Sequence, residues 1–136
     1  MKEMIYEVNS KRELLYNGIY KEHHFYIISY GTHPCCYVEI PYKSKIFKIS
    51  YMDIESIDVH GGLTYSSDKL YIGNNTILNN SWFIGWDYAH FDDYVSFLDS
   101  IDGKKWTTAE MIDECKNVIN QIIDIGFKNE KRNKTL

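Results

Sequence analysis

From Thr107 onward, apolar side chains recur at Met111, Ile112, Cys115, Val118, Ile119, Ile122 and Ile123, the spacing of one helical face. No other feature restricts the fold so tightly, because a helix with a single apolar stripe must lay that stripe against something. Both ends of the helix are marked. Thr107 with Glu110 makes a capping box, in which each side chain satisfies an amide left free at the helix start. Gly126 is a natural C-terminal stop. The charged residues 128–136 are expected to form a flexible tail, leaving 1–127 as one domain.

The segments before the helix read mostly as strands. MIYEV (Met4–Val8) predicts a short one, and ELLYNGIY and HHFYIISYG flank a polar break at Lys21 and Glu22. In the second of these, Phe25 and Ile27 share one face while Tyr26, Ile28 and Tyr30 share the other, so both faces are apolar, as in a central strand. CCYVEI is a further strand, closed by Pro41, which lacks a ladder donor. Tyr42–Tyr51 is basic and aromatic and predicts an irregular excursion or an edge strand. Ile57 and Val59 predict a strand that stops at Gly61 and Gly62. Ser66–Ser81, rich in Ser, Asn and Gly, predicts a long loop with at most a brief strand at Leu70–Ile72. SWFIGWDY (Ser81–Tyr88) resumes the strand pattern, and a shorter helix is expected over Tyr94–Ser100. The fold class is α+β: a mostly antiparallel β-sheet with a long C-terminal α-helix packed on one face.

Composition sets bounds on function. The 136 residues fit one domain with a genuine core, and 25% charged residues with 44% hydrophobic ones argue against disorder. Twelve Tyr, six Phe and three Trp fit a β-rich body or a stacking surface for a planar ligand. The net charge of −4 and the isolated Arg12 and Arg132 speak against duplex nucleic acid as a partner. Lys43, Lys45 and Lys48, with the lysines of the tail, read as solvated surface, although one or two lysines suffice for a small phosphorylated ligand. Cys35, Cys36 and Cys115 have no zinc or CxxC spacing and read as reduced thiols. No apolar run reaches a membrane span, so a soluble cytoplasmic protein is expected.

Two polar clusters stand out. In DVHGGLTYS (Asp58–Ser66), Gly61 and Gly62 permit positive φ and close approach of a ligand or another backbone, and amides in such a turn can form an anion nest. His60, Thr64 and Tyr65 flank them. The plainer alternative is a Gly-Gly hairpin with a histidine packed beside it. In GWDYAHFDDY (Gly85–Tyr94), Asp87, His90, Asp92 and Asp93 are interleaved with Trp86, Tyr88, Phe91 and Tyr94. A carboxylate beside an imidazole can orient it and raise its basicity, as general-base catalysis requires. Two histidines with one or two carboxylates could equally ligate a divalent metal. Alternatively, Asp92 and Asp93 cap a following helix while Asp87 holds a turn. Both clusters follow apolar approaches, so they are expected to share the wall of one hollow at the sheet's edge.

Val59–Tyr65, followed by Gly85, Trp86, Asp87, Ala89, His90 and Asp93, resembles a family of small proteins carried by phages and prophages. Its pattern runs V-H-G-G-[LI]-T-[FY], then a variable insertion, then G-[FW]-D-x-A-H-x-G-D. YVEIP (Tyr37–Pro41) and the final EMIDECKNVINQI are similar to that family's strand and closing helix. Asp92 departs from the pattern's glycine, Tyr88 stands where small residues or Cys are common, and Cys36 replaces a glycine. The resemblance implies an infected host cell as habitat and, by analogy of genome context, a role against host defence.

The expectation is therefore a phage anti-defence protein that binds and sequesters a nucleotide-derived immune signal, a cyclic nucleotide or an ADP-ribose derivative. Its ligand-binding residues would be His60, Gly61, Gly62, Thr64, Tyr65, Trp86, Asp87, His90 and Asp93, with no cofactor and no bound metal, in a homodimer or higher homo-oligomer. One alternative is a hydrolase or lyase using His60, His90, Asp87 and Asp93 as acid–base groups. Another is a protein-binding inhibitor of a host defence factor.

Overall fold

The computed structural model describes residues 12–54, 56–73, 76–90, 93 and 104–128. The expected strand at Met4–Val8, the short helix at Tyr94–Ser100, Asp92 and the tail beyond Lys128 lie outside the described residues.

Strands β1 (Glu13–Tyr20), β2 (His23–Ser29), β3 (Pro34–Glu39), β4 (Tyr65–Ser67) and β7 (Phe83–Asp87) form a five-stranded sheet in the order β1-β2-β3-β7-β4. Every neighbouring pair is antiparallel. The polar break between β1 and β2 is a two-residue turn with positive φ at both Lys21 (48°) and Glu22 (68°), a conformation that suits the strand twist but strains residues other than Gly and Asn. The ring of His23 holds that turn by donating from Nδ1 to the Lys21 carbonyl, 2.8 Å away.

The sheet is covered on both faces. Alternation puts Phe25, Ile27, Cys36, Val38, Ile84 and Trp86 on one side. Against them lies helix α1 (Thr108–Ile125), contributing Met111, Cys115, Val118, Ile119 and Ile122. Tyr26, Ile28, Cys35, Tyr37 and Phe83 face the other side, where Leu70 covers them. Leu70 belongs to a small second sheet formed by β5 (Leu70–Tyr71) and β6 (Ile77–Leu78). Double burial explains why the central strands are apolar on both faces. It also explains Gly85, where a β-carbon would collide with the Tyr37 ring. That ring lies edge-on to Tyr65, with centroids 5.1 Å apart.

Thr107 and Glu110 form the expected capping box, and Gly126, with φ 108°, ends the helix. The excursion after Pro41 is a string of turns leading to a short 3₁₀ segment at Tyr51–Asp53. It is tied to the far end of α1 by an isolated bridge between Ser44 and Phe127. Cys35, Cys36 and Cys115 are buried free thiols, and burial pushes Cys35 up to about 12. Among the described residues no helix is long and apolar enough to cross a membrane.

Two expectations need correction. Residues 56–59 form no strand. The backbone there takes its partners from helix side chains instead: Gln121 accepts from the Asp58 amide and donates to the Asp58 carbonyl, each at 2.7 Å. Glu114 accepts from the His60 amide at 3.1 Å. Alternation of Ile57 and Val59 recorded contact with the core, not pairing in a ladder. The stretch Ser66–Ser81 is also more structured than a long loop, since it completes β4 and contains the β5–β6 pair.

Candidate functional site

The turn after Val59 is closed by the Gly62 amide donating to the Val59 carbonyl at 2.9 Å. Gly61 has φ 70° and Gly62 φ 81°, values that side chains resist. At Gly61 the requirement is steric too, because a β-carbon would overlap the His90 ring. At Gly62 the same atom would meet open space. The paired glycines therefore do different things: one admits His90 and the other leaves an opening.

The second cluster begins where β7 leaves the sheet. Asp87 Oδ1 accepts from the Ala89 amide at 3.2 Å, the turn that the plainer sequence reading assigned to it. Its Oδ2 accepts from the Thr64 hydroxyl at 3.3 Å, joining the two motifs. His90 Nε2 stands 3.2 Å from Asp87 Oδ1, but off the line of a hydrogen bond, so this buried nitrogen has no hydrogen-bond partner.

Asp93 is the hub. It is 2% exposed and receives three donors: His60 Nε2 at 2.8 Å, the His90 amide at 3.0 Å and the Trp106 indole at 3.0 Å. Burial alone would raise this carboxyl, but the bonds from His60, the His90 amide and Trp106 outweigh it, and its pKa is lowered. An ionised carboxylate can only accept, so His60 carries its proton on Nε2 and turns Nδ1 away from Asp93. The His60 ring stacks on Tyr88 (centroids 5.1 Å, 10° between planes) and contacts Trp106 at 4.8 Å and His90 at 5.5 Å. Aromatic packing on three sides and one buried bond leave this imidazole little freedom.

The structure thus brings together His60, Gly61, Thr64, Asp87, His90 and Asp93, with Gly62 beside them. It separates two others. Trp86 is 1% exposed, and its indole donates to the Tyr88 hydroxyl at 3.0 Å, so it is core and offers no open face to a base. Tyr65 packs on the opposite side of the sheet and donates to the Lys69 carbonyl at 2.6 Å.

Three residues at the site escaped the sequence. Tyr88 and Trp106 wall in His60. His33, in the β2–β3 connection, has its pKa lowered by burial, against the pull of Asp87 and Asp93 and with a further push from His90. The one available signal for Trp106 was its place between two lysines and a helix cap. His33 had none, being separated from both motifs by long stretches of chain.

Among the described residues no three His, Cys, Asp or Glu side chains converge in a metal-holding arrangement. Chemically, the cluster offers the His60 Nδ1, an imidazole at His90 whose Nε2 makes no hydrogen bond, and the partly buried Asp87 carboxylate, within a few ångströms of one another. Comparison with protein-family models, with curated proteins and with solved structures finds no match to this chain.

Proposed function

We propose that the chain binds and sequesters a small nucleotide-derived signal, acting against host defence in an infected cell as the motif resemblance implies. The observation that carries the binding part is the convergence of two motifs distant in sequence on one buried carboxylate, Asp93, while polar groups around it stay accessible. The side chains of His60, His90 and Asp87 keep 24%, 34% and 26% of their surface. Structural networks close their polar groups off. This one leaves part of all three side chains in contact with solvent, and open space beside the α-carbon of Gly62. Asp87 suits ribose hydroxyls or an exocyclic amine, and the imidazoles suit phosphate oxygens.

A second reading draws on the His60–Asp93 pair. A carboxylate that fixes an imidazole's tautomer leaves the opposite nitrogen as a base, so the same site suits a hydrolase or lyase in which His60 takes a proton and His90 or Asp87 supplies one.

One experiment tests both. The purified chain is incubated with cyclic nucleotides and ADP-ribose derivatives, denatured, and the released small molecules identified. Intact ligand depleted from solution supports sequestration, and cleaved products support the enzyme. Depletion should vanish in His60→Ala and Asp87→Ala. If both variants lose melting temperature but deplete ligand normally, the cluster is scaffolding and the proposal fails.

A further inference from the structure

The excursion after Pro41 is pinned to two other parts of the chain. The Trp82 indole donates to the Ile49 carbonyl at 3.1 Å, and an isolated antiparallel bridge joins Ser44 to Phe127 beyond α1. On either side of that bridge the Lys45 amide donates to the Gly126 carbonyl at 3.1 Å and the Lys128 amide to the Lys43 carbonyl at 2.7 Å. Ser44 is fully buried, so Lys43 and Lys45 are turned outward, with Lys128 beside Lys43. Lys48 completes the group. Its ammonium lies 5.5 Å from the Trp82 ring centroid and 5.7 Å from that of Phe47, and the Lys128 ammonium lies 5.4 Å from the Phe47 centroid.

All four lysines are exposed, and among the described residues none of them is ion-paired. Asp53 and Asp124, acids of the same two segments, form no bridge with them. The last turn of α1 has no basic residue of its own, and Lys45 and Lys128 near its carbonyl end offset that. The helix therefore accounts for two of the four. Lys48 is costly to the fold, since its φ of 68° is one that side chains resist. A strained residue whose charge goes unpaired points to a use outside the fold.

Apolar surface accompanies the charge. Met52 and Tyr42, at 73% and 67%, are the most exposed large apolar side chains among the described residues, and Ile49 is exposed as well. Tyrosine and methionine are enriched where proteins meet, and surrounding charges select the partner. Single-stranded nucleic acid would need open ring faces for its bases. Phe47 and Trp82 instead pack against the core and carry ammonium groups above them. An anionic bilayer would face the whole chain, whose net charge is −4. A partner's acidic patch meets only these few residues, within a screening length of about 8 Å.

We infer that this basic face docks a second protein, one whose surface sets carboxylates around an apolar side chain. The carboxylates meet the four ammonium groups, and the apolar side chain meets the surface offered by Met52, Ile49 and Tyr42. The face is distinct from the His60–Asp93 cluster. Trp82 precedes β7 and Asp87 ends it, about 17 Å away along the extended chain. The docking face and the small-ligand site therefore stand or fall separately.

The test uses the full chain and labelled synthetic peptides, read by fluorescence anisotropy. One peptide mixes glutamate and aspartate with leucine and phenylalanine, one carries the same charge on a serine background, and one is neutral but equally apolar. Oligothymidine and phosphatidylserine vesicles run alongside. The mixed peptide should bind most tightly, and its affinity should fall about tenfold or more from low to high salt. Lys43→Ala/Lys45→Ala should weaken it about tenfold. Met52→Ser should weaken the mixed peptide and leave the charge-only peptide unchanged. Lys48→Gly separates docking from folding, because it removes the ammonium and relieves the backbone. Its binding should weaken while its melting temperature holds or rises. Native affinity in Lys48→Gly, equal binding of the neutral peptide, or no binding of any peptide overturns the assignment. Oligothymidine or vesicles binding more tightly than the mixed peptide overturns it too, in favour of nucleic acid or membrane.

Discussion

Gly61 lies directly beneath the imidazole of His90, with no space between them for a methyl group. Its neighbour Gly62 shares the positive φ but faces open space, and the pair makes an internal control. Gly62→Ala should lose only the cost of a left-handed alanine, about 1–2 kcal/mol. Gly61→Ala should lose that and about 1–3 kcal/mol more as His90 is displaced. Urea unfolding of both variants measures the difference, and equal losses would show that the His90 ring is not held by this contact.

Asp93 is buried with three donors aimed at it. Asp93→Asn replaces an oxygen acceptor by an amide that cannot satisfy all of them, and it removes the charge facing His60. Breaking a buried charged pair from one side typically costs about 3–5 kcal/mol. We expect a loss near the lower end, since His60 remains partly solvated, together with a shift in the nitrogen resonances of His60. A loss under about 1 kcal/mol would mean that the network contributes little to the fold.

Stability should fall in acid, and the sign follows from two carboxyls. Asp93 is lowered from 3.8, burial being outweighed by its hydrogen bonds, and Glu110 is lowered from 4.5 to about 2, first by the Thr107 backbone and then by Lys104. A group held below its unfolded pKa binds fewer protons when folded, so its contribution is complete above the unfolded value and disappears as pH drops through the folded one. The urea midpoint should therefore be flat above about pH 4.5 and decline toward about pH 2. Glu110→Gln should flatten part of that decline, whereas an unchanged slope would assign the acid sensitivity elsewhere.

Gln121 takes the place of a strand neighbour for Asp58, bonding both its amide and its carbonyl. Gln121→Ala should cost about 1 kcal/mol and, more tellingly, speed hydrogen exchange at the Asp58 amide. Thr107→Ala should cost a similar amount by removing the helix cap, about 1 kcal/mol, without altering exchange at Asp58. If the two variants exchange alike at that amide, the helix side chain does not hold the segment.

The elements that follow simple periodicity were legible in the sequence. Phe25 and Ile27 against Tyr26 and Ile28 announced a strand buried on two faces, and Thr107, Glu110 and Gly126 marked the helix ends. The error at Ile57–Val59 has a physical cause: alternation reports which side chains meet the core, and a segment held by Gln121 and Glu114 meets it just as a strand would. Of the site, the convergence of His60 with Asp87, His90 and Asp93 was visible because the motifs carry its polar groups. Trp86 was misjudged because an indole on a strand next to polar residues looks the same whether it faces solvent or the Tyr88 hydroxyl. Trp106 and His33 could not be found, since only the folded chain brings the residue before the helix and the β2–β3 connection alongside the motifs.

Because Gln121 and Glu114 fasten the Asp58–His60 backbone to α1, while Asp87 is rooted in β7, the polar groups of the cluster are mounted on two separate supports. The Thr64–Asp87 hydrogen bond and the His60–Tyr88 stack bolt the two supports together, so any shift of the helix over the sheet is felt directly at the cluster. Substitutions at remote interior positions such as Cys115 or Val118, which set how closely the two supports seat, would then strain the contacts between His60, Asp87 and His90 from a distance.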